Sequence, residues 1–153
     1  MTEEQILSKL TAMCSRSEHC TRDVMEKMRR WQVDEATSVR VLDYLKREKY
    51  VDDRRYARFF INDKVKYNRW GRRKVEQALR MKGVSVDDYA DSLSELADAD
   101  YEEILLPLLR SKMRSVKAAS DYELKMKLVR FAMGRGFSYE QAMNSVCKVT
   151  TLT

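Results

Sequence analysis

One apolar pattern recurs three times along this chain, and that recurrence limits the fold more than any other feature. Val24, Val75 and Leu128 align, at spacings of 51 and 53 residues. Four residues on stand Met28, Leu79 and Ala132. Nine on stand Val33, Val84 and Phe137, eighteen on Leu42, Leu93 and Val146, and twenty-one on Leu45, Leu96 and Val149. A repeat of this length marks a supersecondary unit that buries its apolar face by packing on its neighbours. Just before the nine-offset residue stand Gln32, Gly83 and Gly136. Glycine there predicts a helix closed by a left-handed residue. The first copy lacks it.

The chain has only 4 Gly and 1 Pro in 153 residues, so strands would lack turn chemistry and helix is favoured nearly throughout. Each copy reads as three helices. In the first they run Thr2–Cys14, Glu18–Trp31 and Asp34–Lys49, with Ser17 as N-cap of the second. In the second they run Asp53–Asn68, capped by Asp52, then Gly71–Lys82 and Val86–Leu96. In the third they run Tyr101–Val116, with Pro107 as a kink or the true start, then Asp121–Arg135 and Tyr139–Lys148, capped by Ser120 and Ser138. The tail Thr150–Thr153 reads as frayed. The expected fold is all-α, with three tandem three-helix repeats at 1–52, 53–98 and 99–153 forming an elongated array, straight or curved. Tyr56, Phe59, Phe60 and Tyr67, and likewise Tyr101, Ile104, Leu105 and Leu108, follow helical spacing and read as core.

Charge is sorted in blocks over this frame. Residues 1–52 balance at ten bases and ten acids. From Asp53 to Val84 eleven Lys or Arg face three acids, a net +8. Ser85 to Leu108 holds eight acids and no Lys or Arg, and Leu109 to the end is +6. With the aromatic stripe inward, the first helix of the middle repeat turns Arg54, Arg58 and Asn62 outward, with Arg55 and Lys66 flanking. On the next helix Val75, Ala78 and Leu79 face inward and Arg73, Gln77 and Arg80 outward. A merely solvated face interleaves acids with bases, and this one does not. Cations of one sign beside aromatics suit nucleic-acid phosphates. Tyr67 and Trp70 flank Arg69 at the junction, where an exposed ring would stack on a base; Trp70, like Trp31, reads better as a core staple.

A helix-turn-helix reader is the obvious rival, since Gly83 sits in the turn of Glu76–Leu96. Its recognition helix would carry Asp87, Asp88, Asp91 and Glu95 and no base, which opposes phosphates. That acidic face suits the cations of a protein partner, or the chain's own basic faces. There is no Gly-rich phosphate loop, no CxxC pair and no Gly-x-Ser-x-Gly elbow, so an enzyme is not expected. Three cysteines and no secretory signal suit reduced thiols in a cytoplasm. The single histidine, His19, excludes a multi-histidine metal site and reads as a helix-surface residue. Cofactor and metal are not expected, no apolar run reaches membrane-span length, and no long heptad pattern demands an oligomer, which is compatible with a monomer.

Several segments in order resemble the RecX regulatory proteins. They are Ser15-Arg16-Ser17-Glu18-His19-Cys20-Thr21-Arg22, Tyr50-Val51-Asp52-Asp53-Arg54-Arg55-Tyr56-Ala57, the spacing from Gly71 to Lys82-Gly83-Val84, and Arg130-Phe131 with Arg135-Gly136-Phe137-Ser138-Tyr139. The resemblance runs from about Leu7 to Val149. Cys20 stands where the family often has Ser and Lys64 where Arg is common; Asn68-Arg69-Trp70 replaces a glycine-rich junction, and Gln32 replaces Gly.

The resemblance implies a modulator that binds in the groove of the RecA–DNA filament. Such a protein restrains recombinase ATP hydrolysis, strand exchange and coprotease function, and so modulates recombination, DNA repair and the SOS response. On that reading Arg54, Arg55, Arg58, Lys66, Arg69, Arg73 and Arg80 touch DNA or acidic filament surface, and Asp87, Asp88, Asp91 and Glu95 meet basic recombinase residues. Bare DNA, single- or double-stranded, would bind weakly and with steep salt dependence. The alternatives are a non-sequence-specific DNA-binding helical protein without a recombinase partner, and a protein-interaction scaffold whose basic block only solubilises.

Overall fold

The computed structural model describes residues 1–151. Among them it contains helices only, in the order α1 (Glu3–Arg16), α2 (Thr21–Arg30), α3 (Glu35–Arg47), α4 (Asp53–Lys66), α5 (Arg72–Met81), α6 (Val86–Ser94), α7 (Asp98–Met113), α8 (Asp121–Gly134) and α9 (Tyr139–Thr151). The fold is an all-α repeat array. It divides into two compact units, each described separately below. Unit 1 holds Met1–Phe60 with Leu79–Ala90; unit 2 holds Ile61–Ala78 with the chain from Asp91 onward. Of the expected frayed tail, Thr150 and Thr151 belong to α9, and Leu152 and Thr153 lie outside the described residues.

Local capping chemistry sets the helix starts. Thr2 and Gln5 form a reciprocal capping box at α1. Asp34 accepts the Thr37 N–H at 3.0 Å, Ser120 the Glu123 N–H at 3.1 Å, and Asp52 the Arg55 N–H at 3.1 Å. Ser138 and Gln141 box the start of α9. The expectation for Ser17 fails: it closes α1, and α2 starts only after Cys20. Asp23 fixes that start by accepting the Cys20 N–H at 3.2 Å, while Asp53 accepts both the Thr21 N–H, at 2.8 Å, and its hydroxyl. His19 therefore lies in an extended link, not on a helix, with its ring Nδ1 3.5 Å from Asp23. Pro107 neither starts α7 nor ends it, but sits inside the helix.

The repeat noted in the sequence is a repeated turn. Gln32, Gly83 and Gly136 have φ of 58°, 73° and 101°. In each copy the next residue, Val33, Val84 or Phe137, donates its N–H to a carbonyl five residues back, on Met28, Leu79 or Ala132. The left-handed residue donates its own N–H three residues back, to Arg29, Arg80 or Met133. This is the Schellman closure, which pairs the two apolar positions four and nine along each repeat. Gln32 adopts the left-handed conformation without being glycine.

In unit 1, Ile6, Leu10, Val24, Met28, Val41, Leu45 and Val51 form one buried cluster, with Trp31 packed at its edge. The N-terminus of α2 rests on the turn that ends α5. Arg22 donates from Nη1 to the Met81 carbonyl, and its guanidinium lies 3.0 Å from where a Gly83 side chain would begin. The Cys20 thiol points at the Lys82 carbonyl, 3.7 Å away, and Lys82 Nζ pairs with Asp23 at 2.9 Å. Burial pushes the Cys20 thiol up to about 11, so it is an unreactive packing group. Burial alone would raise the Asp23 pKa, but the bonds from Lys82 and the Cys20 N–H outweigh it and hold the carboxyl below its ordinary value. The same bond raises Lys82.

Unit 2 repeats this joint one copy later, through backbone. Gly71 N–H donates to the Arg135 carbonyl at 2.8 Å and Arg73 N–H to the Gly136 carbonyl at 3.1 Å. The start of α5 therefore abuts the end of α8, positive pole to negative pole. A Cβ on Gly71 would lie 2.4 Å from the Gly136 carbonyl carbon, and one on Gly136 would lie 2.5 Å from the Lys74 Cβ. Tyr101, Leu105, Leu109, Leu128, Ala132, Phe137, Ala142 and Val146 are buried, with Tyr101 edge-on to Phe137.

The aromatic stripe expected on α4 is corrected. Tyr56, Ala57, Ile61 and Val65 are its buried residues and Phe60 is half-buried. Phe59 is 59% exposed and Tyr67 80% exposed. The buried row follows i, i+4 steps, which place Phe59 off the seam; α4 ends at Lys66, so Tyr67 has left the helix.

Gly71→Ala is expected to lower unfolding free energy by about 2 kcal/mol or more, because backbone must shift to admit the methyl. Gly134→Ala, in the last turn of α8 with open space around it, should raise it by about 0.5–1 kcal/mol. Urea unfolding of both variants checks the pair; equal effects would contradict the joint. The Asp23–Lys82 contribution should be present between about pH 4 and pH 10. It fades as pH falls through the depressed Asp23 value or rises through the elevated Lys82 value. Asp23→Asn should therefore lose its stability deficit in acid, as read by denaturant midpoints across pH.

Candidate nucleic-acid interface

The corner between α4 and α5, within unit 2, concentrates the positive charge. Between Lys64 and Val75 stand Lys64, Lys66, Arg69, Arg72, Arg73 and Lys74, with no acid among them. The Tyr67 N–H makes the last helical bond, to the Asp63 carbonyl at 2.9 Å, and the chain then turns as the Asn68 N–H reaches the Asp63 carbonyl at 3.4 Å and the Trp70 N–H the Lys64 carbonyl at 3.1 Å. Arg69 takes φ of 56° to make that turn. Trp70 is half-buried, with Lys64 Nζ 5.4 Å and Lys74 Nζ 4.7 Å from its ring centroid. Its face is thus committed to two ammonium groups, as a staple.

Outside that staple, Lys66, Tyr67, Asn68, Arg69, Arg72 and Arg73 are exposed. Lys66, Arg69, Arg72 and Arg73 have no ion-pair partner among the described residues. At the start of α5 the Gly71 N–H, just before the helix, is bonded to the Arg135 carbonyl and the Arg73 N–H to the Gly136 carbonyl. The exposed positive charge at this corner is carried by the side chains of Lys66, Arg69, Arg72 and Arg73. Arg72 also acts inward: burial raises the Tyr101 hydroxyl's pKa and the nearby Arg72 charge partly opposes it.

The remaining expected cations lie in unit 1 and are more engaged. Arg54 donates to the Asp87 carbonyl at 3.0 Å, and Arg80 donates from Nε to the buried Tyr89 hydroxyl at 3.2 Å. Arg58 is exposed. Arg55 is pinned: it pairs with Glu18 at 2.9 Å and donates to the Lys49 and Tyr50 carbonyls at the end of α3. These bonds give Arg55 a structural role.

On α6, Asp87 is exposed at the helix start and Asp88 is half-buried, accepting the Ser85 hydroxyl at 3.1 Å. Asp91 is exposed on α6, and Glu95 is exposed just past its end. Sequence reasoning counted Arg72 in the basic block but left it out of the expected contact residues. As the first residue of that helix it faces solvent. The unbroken basic run Arg72-Arg73-Lys74 at the helix start was the signal for it. No cluster of three His, Cys, Asp or Glu suited to a metal occurs among the described residues. None of the described helices is long and apolar enough to cross a membrane.

Fold and surface define a class: an all-α repeat array that presents a dense cationic corner, in which Lys66, Arg69, Arg72 and Arg73 are exposed. The profile of the second three-helix domain of RecX matches residues 52–93, and that of the third matches residues 99–144. The chain belongs to the RecX family of regulatory proteins. Regulatory protein RecX of Clostridium botulinum (strain Eklund 17B / Type B) is 31% identical over 121 residues, 78% of this chain and 56% of that relative. Its counterpart in Clostridium perfringens (strain 13 / Type A) is 29% identical over 131 residues, 84% of this chain and 61% of the relative. The chain thus spans under two thirds of the length of these curated relatives. The crystal structure of RecX from Lactobacillus salivarius has the same fold, with a TM-score of 0.85 at 16% identity, covering 99% of this chain and 97% of that one. A second crystal structure, of regulatory protein RecX, gives 0.83 at 19% identity, over 91% of this chain and 68% of the other.

Arg55→Ala is expected to cost about 1–2 kcal/mol of stability, since it leaves Glu18 and two carbonyls without their partner. Arg69→Ala and Arg73→Ala should stay within about 0.5 kcal/mol of the parent. Urea midpoints separate the two groups, and a destabilised Arg73→Ala would make that cation structural too.

Proposed function

We propose that this chain binds the RecA–DNA filament and restrains recombinase activity in the cytoplasm: ATP hydrolysis, strand exchange and coprotease function, hence recombination, DNA repair and the SOS response. The observation that carries the reading is the unpaired cationic corner Lys66, Arg69, Arg72 and Arg73 on a chain of the RecX family. Side chains with no internal carboxylate partner remain available to phosphates, and their attraction is long-ranged enough to steer encounter with a polyanionic filament. Arg58 is a further open cation. Asp87, Asp88, Asp91 and Glu95 supply the opposite sign toward basic groups of the recombinase, which fixes orientation. The segments 1–52, 53–98 and 99–153 are the modules of this arrangement, and the chain acts as a monomer without a cofactor.

The decisive assay is recombinase ATP hydrolysis on single-stranded DNA with increasing amounts of this protein. Inhibition well below one protein per recombinase subunit supports action on the filament. Inhibition only when the DNA is saturated would instead support a DNA-binding protein without a recombinase partner, and no effect would leave a scaffold. Arg69→Glu with Arg73→Glu should shift the inhibition curve at least tenfold to higher concentration while leaving the fold intact. Each charge reversal removes one phosphate contact and adds a repulsion.

A further inference from the structure

Tyr67 is the most exposed large hydrophobic side chain among the described residues, and it stands inside the most basic stretch of the chain. A single exposed ring is ordinary on a protein surface. This one has three further properties. It lies just past the end of α4, so the helix no longer shields its faces. No ring contact or side-chain bond to it occurs among the described residues. Its neighbours Lys66, Arg69, Arg72 and Arg73 are cations without carboxylate partners, exposed on the same corner.

The backbone that carries the ring is fixed. Asp63 accepts the Tyr67 N–H, Lys64 accepts the Trp70 N–H, Trp70 is stapled between Lys64 and Lys74, and Gly71 is bonded to Arg135. An open ring on a hydrogen-bonded turn, within a few residues of four exposed cations, is an arrangement suited to an unpaired nucleic-acid strand. The phosphates run along the cations, and a base lies on the ring. A duplex gives the ring nothing to stack on, because its bases are already stacked on each other. An acidic protein surface would use the cations but gain little from the ring.

We propose that Tyr67 stacks on a base of a single-stranded nucleic acid whose phosphates lie along Lys66, Arg69, Arg72 and Arg73, so that this corner distinguishes single from double strands. This rests on the reading of the corner as a nucleic-acid contact and adds to it the form of nucleic acid preferred.

The test uses the whole protein without recombinase. Fluorescence anisotropy is measured with a thymidine oligonucleotide, an abasic strand of equal length and a hairpin duplex. Tyr67→Ala should weaken binding to the thymidine strand about tenfold. Tyr67→Phe, which keeps the ring, should stay within about twofold of the parent, and both variants should match the parent on the abasic strand and the duplex. Circular dichroism spectra and urea midpoints are expected to be unchanged, since the side chain is exposed. Equal loss on all three probes, no loss on any, or no binding of the parent to the thymidine strand would each overturn the proposal. So would an unaltered thymidine affinity accompanied by lost binding to DNA-free recombinase, which would assign the ring to a protein partner. Because recombinase is absent from the oligonucleotide arm, its result is independent of whether ATP hydrolysis is inhibited. Failure of filament regulation and failure of base stacking are therefore told apart.

Discussion

The seating of a helix start on the turn that ends another helix is the constraint on which this structure depends. It occurs once within each compact unit, and the two instances reach the same end with different chemistry. In unit 1 side chains make the joint, through Arg22 to the Met81 carbonyl, the Cys20 thiol against Lys82, and Lys82 to Asp23. In unit 2 the backbone makes it, through Gly71 and Arg73 to the carbonyls of Arg135 and Gly136. Helix ends leave polar groups that must find partners, and here the donors of one end meet the acceptors of another. Close approach demands Gly71, where any side chain would enter the opposing backbone.

That joint also shapes the surface chemistry. With the Arg73 N–H bonded to the Gly136 carbonyl, the α4–α5 corner is held in place and turns the cationic side chains of Lys66, Arg69, Arg72 and Arg73 to solvent. Lys64 and Lys74 are drawn onto Trp70, which steadies the turn. Cations of one sequence block are thus sorted into two kinds: those that hold the fold, such as Arg55, and those left facing solvent. Charge counting along the sequence cannot make that distinction, because both kinds contribute equally to the net +8.

The fold was legible where short-range chemistry and periodicity agreed. Two of the five aligned apolar positions, those four and nine along each copy, proved to close one turn type, and Gly83 and Gly136 announced its left-handed backbone. Gln32 hid its membership in that set because a non-glycine residue rarely adopts positive φ. Ser17 misled because Ser is a good N-cap wherever it stands, while Asp23 and Asp53, the groups that start α2, act from further along the chain. Phe59 and Tyr67 misled because apolar character was taken for burial. One falls off the buried row of α4, and the other lies beyond a helix end that was placed two residues too late. The pinning of Arg55 by Glu18 spans 37 residues and has no local signature.

The central claim is that the α4–α5 corner faces the nucleoprotein polymer. Amide hydrogen exchange of this protein, alone and with recombinase assembled on single-stranded DNA, tests it most directly. The claim requires slowed exchange across residues 66–73 on addition of the filament, with the buried amides of α8 unaffected. Unchanged exchange across 66–73, with protection arising elsewhere in the chain, would contradict it.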